Sequence, residues 1–318
     1  MIDVTLKNFE TEVIAASATQ PILIDFWAPW CGPCKSLGPV LEQVEEAYGG
    51  RFTLCKINSD EEQQLAGAFG IRSIPTCILM MNGKPVDGFT GAQSATQIKA
   101  FLDKHLPSPG ELIADAESDE AQALLESGDP QAALEKLANA LALDPANDDT
   151  RYDYIHLLME LGGLEEAESL LAPKLAEIPR KLRFEALAQW LAAIQFIATS
   201  DYRDWAIEQF DEKITANKRD FEVRFAKARL LMAINQWTAA LDELLEIIMR
   251  DKKWADEAPR KAFVAILELL TPPKPKATAA TPGKTAGGIE VLGKTAVQED
   301  PQAALVSSYR RKLSMMLN

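Results

Sequence analysis

Apolar and polar positions change rhythm once along this chain, near residue 107. Before it, apolar runs of strand length alternate with stretches in which apolar side chains recur at helical spacing. Ile22-Leu23-Ile24-Asp25-Phe26-Trp27 is almost continuously apolar, as expected of a strand covered on both faces. Leu37, Val40, Leu41, Val44 and Tyr48 then mark one face of a helix that Gly49-Gly50 should end, with Pro39 expected to kink it. A strand over 52–57, a helix through Leu65, Ala66 and Phe69 closed by Gly70, and a strand over 76–81 follow. Asn82-Gly83 between that strand and Val86-Asp87-Gly88-Phe89 predicts a hairpin. A last helix over 94–105 completes the expected α/β domain, 1–106, in which helices flank a mixed sheet.

Leu106-Pro107-Ser108-Pro109-Gly110 separates this unit from an Ala-, Leu- and Glu-rich helical region over 111–270. That region repeats itself. Gly128 and Gly162, Ala133 and Ala167, and Pro145 and Pro179 each stand 34 residues apart, the tetratricopeptide period. Ala206 and Ala240, and Asp201 and Asn235, keep the same spacing of 34, while Ala167 to Ala206 is 39, an insertion of five residues. The repeated alanine is expected where the two helices of a hairpin approach closely. Consensus aromatics are largely missing, so the repeats are degenerate and the expected fold is an all-α, TPR-like solenoid. Residues 258–270 read as the first helix of one further hairpin, 271–300 as a flexible linker rich in Pro, Lys, Ala, Thr and Gly, and 301–318 as a terminal helix. Leu305, Val306, Tyr309, Leu313, Met316 and Leu317 form that helix's apolar stripe.

With 47% hydrophobic and 25% charged residues, the 318-residue chain has a globular composition. Its net charge of −14 repels phosphate backbones and anionic lipid surfaces, which argues against nucleic-acid and membrane partners. The tail beyond residue 271 is basic and the rest acidic. Met1-Ile2-Asp3-Val4-Thr5-Leu6-Lys7 has no basic region leading into an apolar one, and no apolar run approaches 18 residues, so a cytoplasmic location is expected.

Two of the four cysteines form Cys31-Gly32-Pro33-Cys34 at the start of a helix. That spacing allows a disulfide to open and close, and the helix N-terminus favours the Cys31 thiolate, the attacking species in thiol–disulfide exchange. Cys34, one turn in, would resolve the mixed disulfide. Zinc would need two more ligands, and Cys55, Cys77, His105 and His156 make no second close pair, so redox chemistry without metal or cofactor is expected. Cys55 and Cys77 lie in predicted strands and read as small core residues, and the two histidines as helix-end and surface residues.

Phe26-Trp27-Ala28-Pro29-Trp30-Cys31-Gly32-Pro33-Cys34-Lys35 resembles the active-site segment of thioredoxin, over a match extending through residues 1–106. The resemblance implies a buried carboxylate at Asp25 beneath the second cysteine, with Lys56 as its partner. A buried carboxylate should have a raised pKa and be able to take the Cys34 proton. The plainer alternative, a core ion pair of Asp25 with Lys56, is compatible with that role. Ile74-Pro75-Thr76 resembles the family's cis-proline segment, and Trp30, Ile74, Pro75, Gly91 and Ala92 would form the apolar groove that receives substrate.

The order of thioredoxin-like domain, degenerate repeats and a Ser308-Tyr309-Arg310-Arg311-Lys312-Leu313 helix resembles the YbbN/CnoX co-chaperones over nearly the whole chain. That resemblance implies a holdase for unfolded or oxidised client proteins, with delivery to the chaperonin GroEL and the DnaK system. Some members lack the first cysteine of the pair, whereas both are present here. A thioredoxin reductase is a candidate recycling partner. A second reading is a dedicated disulfide reductase whose repeats recruit one substrate, and a third a scaffold with an idle dithiol. For the terminal helix, solenoid physics favours a cap, while the resemblance implies a chaperonin contact through Tyr309, Arg310, Arg311 and Leu313.

Overall fold

The computed structural model describes residues 1–272 and 300–317. Most of the expected 271–300 linker therefore lies outside the described residues. The chain divides into two compact units, with the division at Leu112 and Ile113.

The first unit is a five-stranded mixed sheet in the order β1-β3-β2-β4-β5: β1 (Ile2–Asp3), β2 (Ile22–Trp27), β3 (Thr53–Asn58), β4 (Thr76–Met81) and β5 (Lys84–Thr90). The pairs β1–β3 and β2–β3 are parallel, and β2–β4 and β4–β5 antiparallel. Helix α1 (Gly32–Tyr48) and α3 (Ala95–Asp103) supply Leu37, Leu41, Val44, Ile98 and Leu102 to one core with Leu23, Leu54 and Leu79. On the other face Ile22, Ile24, Phe26, Cys55 and Ile57 pack with Val13 and with Leu65 of α2 (Gln63–Ala68). Val13 belongs to a π-helical segment, Glu10–Ala15, for which the apolar pattern gave no expectation. β2 is buried on both faces because its side chains alternate between these two cores. The same alternation sends Asp25 to the α1 side with Leu23.

The second unit is all helix: α4 (Pro109–Ser127, beginning in the first unit), α5 (Pro130–Leu143), α6 (Asp148–Glu160), α7 (Leu164–Ala176), α8 (Leu182–Thr199), α9 (Ile207–Ala216), α10 (Phe221–Ala233), α11 (Trp237–Arg250), α12 (Trp254–Leu269) and α13 (Pro301–Leu317). Gly128 and Gly162 turn the first two hairpins with left-handed φ of 86° and 84°, and Asn235 does the same later at 59°. Ala133, Ala167 and Ala240 are fully buried where helices approach closely. Ala206 is not: it is the exposed N-cap of α9, and Phe210 lies inside instead. The physical reason is the connection from α8 to α9, seven residues (200–206) against three (161–163 and 234–236) in the neighbouring hairpins, which delays α9 by four residues and puts Phe210 at the helix position the buried alanines hold. The backbone at Ala255, Asp256 and Glu257 has positive φ, so regular helix in α12 begins after them, where the apolar pattern places it.

α13 packs on the preceding hairpin. Val306, Tyr309 and Leu313 join the core formed by Leu241, Leu244, Phe263 and Ile266, and the Tyr309 hydroxyl donates to Asp242 at 2.8 Å. Burying side chains of this size stabilises by about 1.5–3 kcal/mol each. Gln302 donates to the Leu270 carbonyl at 2.8 Å, fixing the helix start. An ionic cluster joins α9, α10 and α11: Glu243 meets both Arg224 and Lys227, and Lys227 also reaches Asp211 at 2.6 Å. No helix among the described residues is long and apolar enough to cross a membrane.

Candidate functional site

The end of β2 and the start of α1 carry the two cysteines. Strand β2 stops at Trp27, and the chain turns through Ala28, whose carbonyl accepts from the Cys31 amide at 3.1 Å. Cys31 is the N-cap of α1, and its sulfur accepts from the Cys34 amide at 3.2 Å. Gly32 and Pro33 fill the first turn, where the missing proline amide costs no helical hydrogen bond. Cys31 and Cys34 are joined as a disulfide, and both are 4% exposed. Exposed sulfur area is small, but Trp30 beside it is 69% exposed, an unusual setting for a large apolar ring.

On the α1 side of β2, Asp25 is 1% exposed. Burial raises its pKa to about 6; the positive charge of Lys56 and a thiol hydrogen bond from Cys77 pull the other way but do not win. The direct Asp25–Lys56 ion pair open to the sequence is not formed. The two residues are register partners across β2 and β3, but the Lys56 ammonium pairs with Glu42 of α1 at 3.1 Å and acts on Asp25 through its field alone. Cys77 is the register partner of Asp25 on β4, with its sulfur 3.9 Å from Asp25 Oδ1. Cys55 and Cys77 are free, fully buried thiols whose pKa values burial pushes up, to about 12 for Cys55.

Four of the five expected groove residues, Ile74, Pro75, Gly91 and Ala92, lie beside one another, and Trp30 precedes Cys31 in the chain. The Ile74-Pro75 peptide bond is cis, and Ile74 packs against the cysteine pair with Trp27 and Ala28. The Gly91 amide donates to the Pro75 carbonyl at 2.8 Å, which sets Gly91 and the adjacent exposed Ala92 beside the proline. Gly91 has a φ of 82°, so a side chain there would strain the backbone. Trp30 is held by a residue that the apolar pattern does not reveal: its indole N–H donates to Asp60 Oδ2 at 2.6 Å.

The thioredoxin family model matches residues 1–104. Thioredoxin of Chlorobaculum thiosulfatiphilum is 44% identical over 104 residues, which is 94% of that protein and 33% of this chain. Thioredoxin 1 of Nostoc sp. is 43% identical over 103 residues, 94% of its length and 32% of this chain. This chain belongs to the thioredoxin family. Two tetratricopeptide repeat models match residues 124–191 and 201–280, so the thioredoxin domain is followed by helices of that repeat class. Pseudomonas aeruginosa thioredoxin, 42% identical over 106 residues, covers 96% of its own length and again a third of this chain. The family thus accounts for the first unit, and a Cys31–Cys34 disulfide in it supports thiol–disulfide redox activity.

His105 bonds Asp87 at 2.8 Å, and His156 of the second unit packs against Trp190 with its pKa lowered by burial. In the terminal helix, Tyr309 and Leu313 are spent on packing, at 4% and 9% exposure, which removes them from a surface that could meet a partner. Arg310 and Arg311 remain exposed, with Arg310 donating to Thr271 Oγ1 at 3.1 Å.

Proposed function

We propose that this protein is a redox-active co-chaperone. Its repeats hold unfolding or oxidised client proteins while the Cys31–Cys34 pair exchanges disulfides with them. The observation that carries the reading is a disulfide pair at a helix start, in the same domain as a buried carboxylate of raised pKa and in one chain with a repeat array whose class binds polypeptides. In the reduced form, the Cys31 thiolate attacks a client disulfide, forming a mixed disulfide and releasing one client thiolate, which takes a proton from solvent. Cys34 then gives its proton to Asp25 and attacks Cys31. The Cys31–Cys34 bond forms, the second client thiolate leaves, and two electrons have passed to the client. Return to the dithiol requires an external dithiol reductant, and a thioredoxin reductase is the proposed donor.

Trp30, Ile74, Pro75, Gly91 and Ala92 are the proposed client-binding surface. Delivery to the chaperonin GroEL or the DnaK system is assigned to the exposed Arg310 and Arg311 rather than to the buried part of the terminal helix. The reading predicts that the protein reduces insulin and that Cys31→Ser does not. It also predicts that the chain suppresses citrate synthase aggregation, with or without prior treatment with hypochlorous acid. Insulin reduction with aggregation unchanged in both conditions would reject the holdase and leave a dedicated reductase.

A further inference from the structure

Among the described residues, the Asp25 carboxylate has one side-chain hydrogen-bond donor, and it is a sulfur outside the redox pair. Asp25 and Cys77 face each other across the antiparallel β2–β4 register, both fully enclosed, with Cys77 Sγ 3.9 Å from Asp25 Oδ1. We propose that Cys77 is a positioning residue for the proton acceptor of the dithiol: its thiol donates to Asp25, orients that carboxylate in the core and favours its ionised form. The proposal rests on the thiol–disulfide reading above.

A carboxylate without water ionises only as far as nearby donors and charges allow. The groups that act on Asp25 are few. Lys56 faces it from β3 but is drawn to Glu42 of α1, Cys77 faces it from β4, and Cys34 enters from α1 on the proposed mechanism. An aliphatic side chain at position 77 would leave only the field of Lys56. Cys77 is suited to the role because burial and the Asp25 charge both oppose its own ionisation, so it stays S–H while Asp25 titrates. For the same reason it is no nucleophile, since exchange needs the thiolate. During resolution the Cys34 proton moves to Asp25, the Cys31–Cys34 bond forms, the client sulfur leaves, and the Cys77 proton stays where it is.

The test uses the full chain carrying 13C-labelled aspartate, with the Asp25 carboxyl resonance assigned by its loss in Asp25→Asn. Titration of the oxidised protein is compared with Cys77→Val, which removes the donor, and Cys77→Ser, which keeps one. The midpoint should rise by about half a pH unit or more in Cys77→Val and remain at or below the unsubstituted value in Cys77→Ser. In the reduced proteins, the acid limb of the insulin-reduction pH profile should move the same way. Identical midpoints in all three proteins overturn the proposal, and should Cys77→Val fail to fold, Cys77→Ala replaces it with the same expectation. A shifted midpoint in a protein that reduces nothing would instead overturn the redox reading and leave the Cys77–Asp25 bond standing.

Discussion

A carboxylate placed where water cannot reach it is a cost that the first unit carries at neutral pH. With a pKa of about 6 in the fold against 3.8 for the free group, Asp25 binds its proton more tightly when folded. Stability is therefore fully present below about pH 4 and falls as pH rises through 6. Asp25→Asn should raise stability by about 3 kcal/mol at pH 8 and by nothing measurable near pH 4, while slowing insulin reduction. Urea denaturation at the two pH values decides it; an equal gain at both would place the cost elsewhere. Asp60 acts on Trp30, the residue before Cys31. Removing its hydrogen bond to the Trp30 indole frees a ring that is otherwise fixed and exposed, so Asp60→Ala should raise the KM for insulin about threefold with kcat little changed. Steady-state kinetics check that split. The cysteines and Asp25 were legible in the sequence because they lie in one short segment whose order carries their chemistry. Asp60 and Glu42 were not, because each matters only through a residue 30 or 14 positions away that the sheet brings beside it.

Period alone located most elements, since both periodicities here are driven by burial. It failed where two burials compete. Ala206 has the right spacing from Ala240, yet the longer connection between α8 and α9 delays α9 by four residues and puts Phe210 inside. Residues 10–18 carry no burial period, because Val13 alone among them is an aliphatic side chain fully enclosed. Terminal helix α13 shows the limit of reading a stripe: the apolar face was plain, but whether it meets its own chain or a partner depends on an acceptor for Tyr309, and Asp242 supplies one. Tyr309→Ala should cost the second unit about 3 kcal/mol and let α13 exchange its amides first, read by urea denaturation and hydrogen exchange. The double substitution Arg310→Ala with Arg311→Ala should leave stability within about 0.5 kcal/mol and, on the proposed reading, abolish recovery on chaperonin. Undiminished recovery would return the helix to the role of a cap alone. Glu243 makes the sharper structural test, because Arg224 and Lys227 both depend on it in a buried place. Glu243→Gln should cost about 3 kcal/mol, measured by the same denaturation.

Each unit of the molecule has its own core, and the relatives of the first unit consist almost wholly of the part they share with it. A fragment of residues 1–108 therefore has what it needs to fold and to carry the disulfide chemistry. Encounter with a client is what the rest can change. On the proposed reading, a small disulfide substrate gains nothing from being held, whereas an unfolded polypeptide bound to the repeats would present its cysteines to the pair at an effective concentration set by the tether. The fragment should then reduce insulin at a rate within about twofold of the full chain, because that reaction would need only the proposed groove. Its Cys34→Ser form should trap heat-unfolded citrate synthase as a mixed disulfide through Cys31 with a yield at least about tenfold below the full-length trap at equal concentration. Non-reducing gels of the two trapping reactions make the comparison. Equal yields would mean that the thioredoxin domain finds its clients unaided, and the repeats would then have to serve a partner other than the polypeptide being reduced.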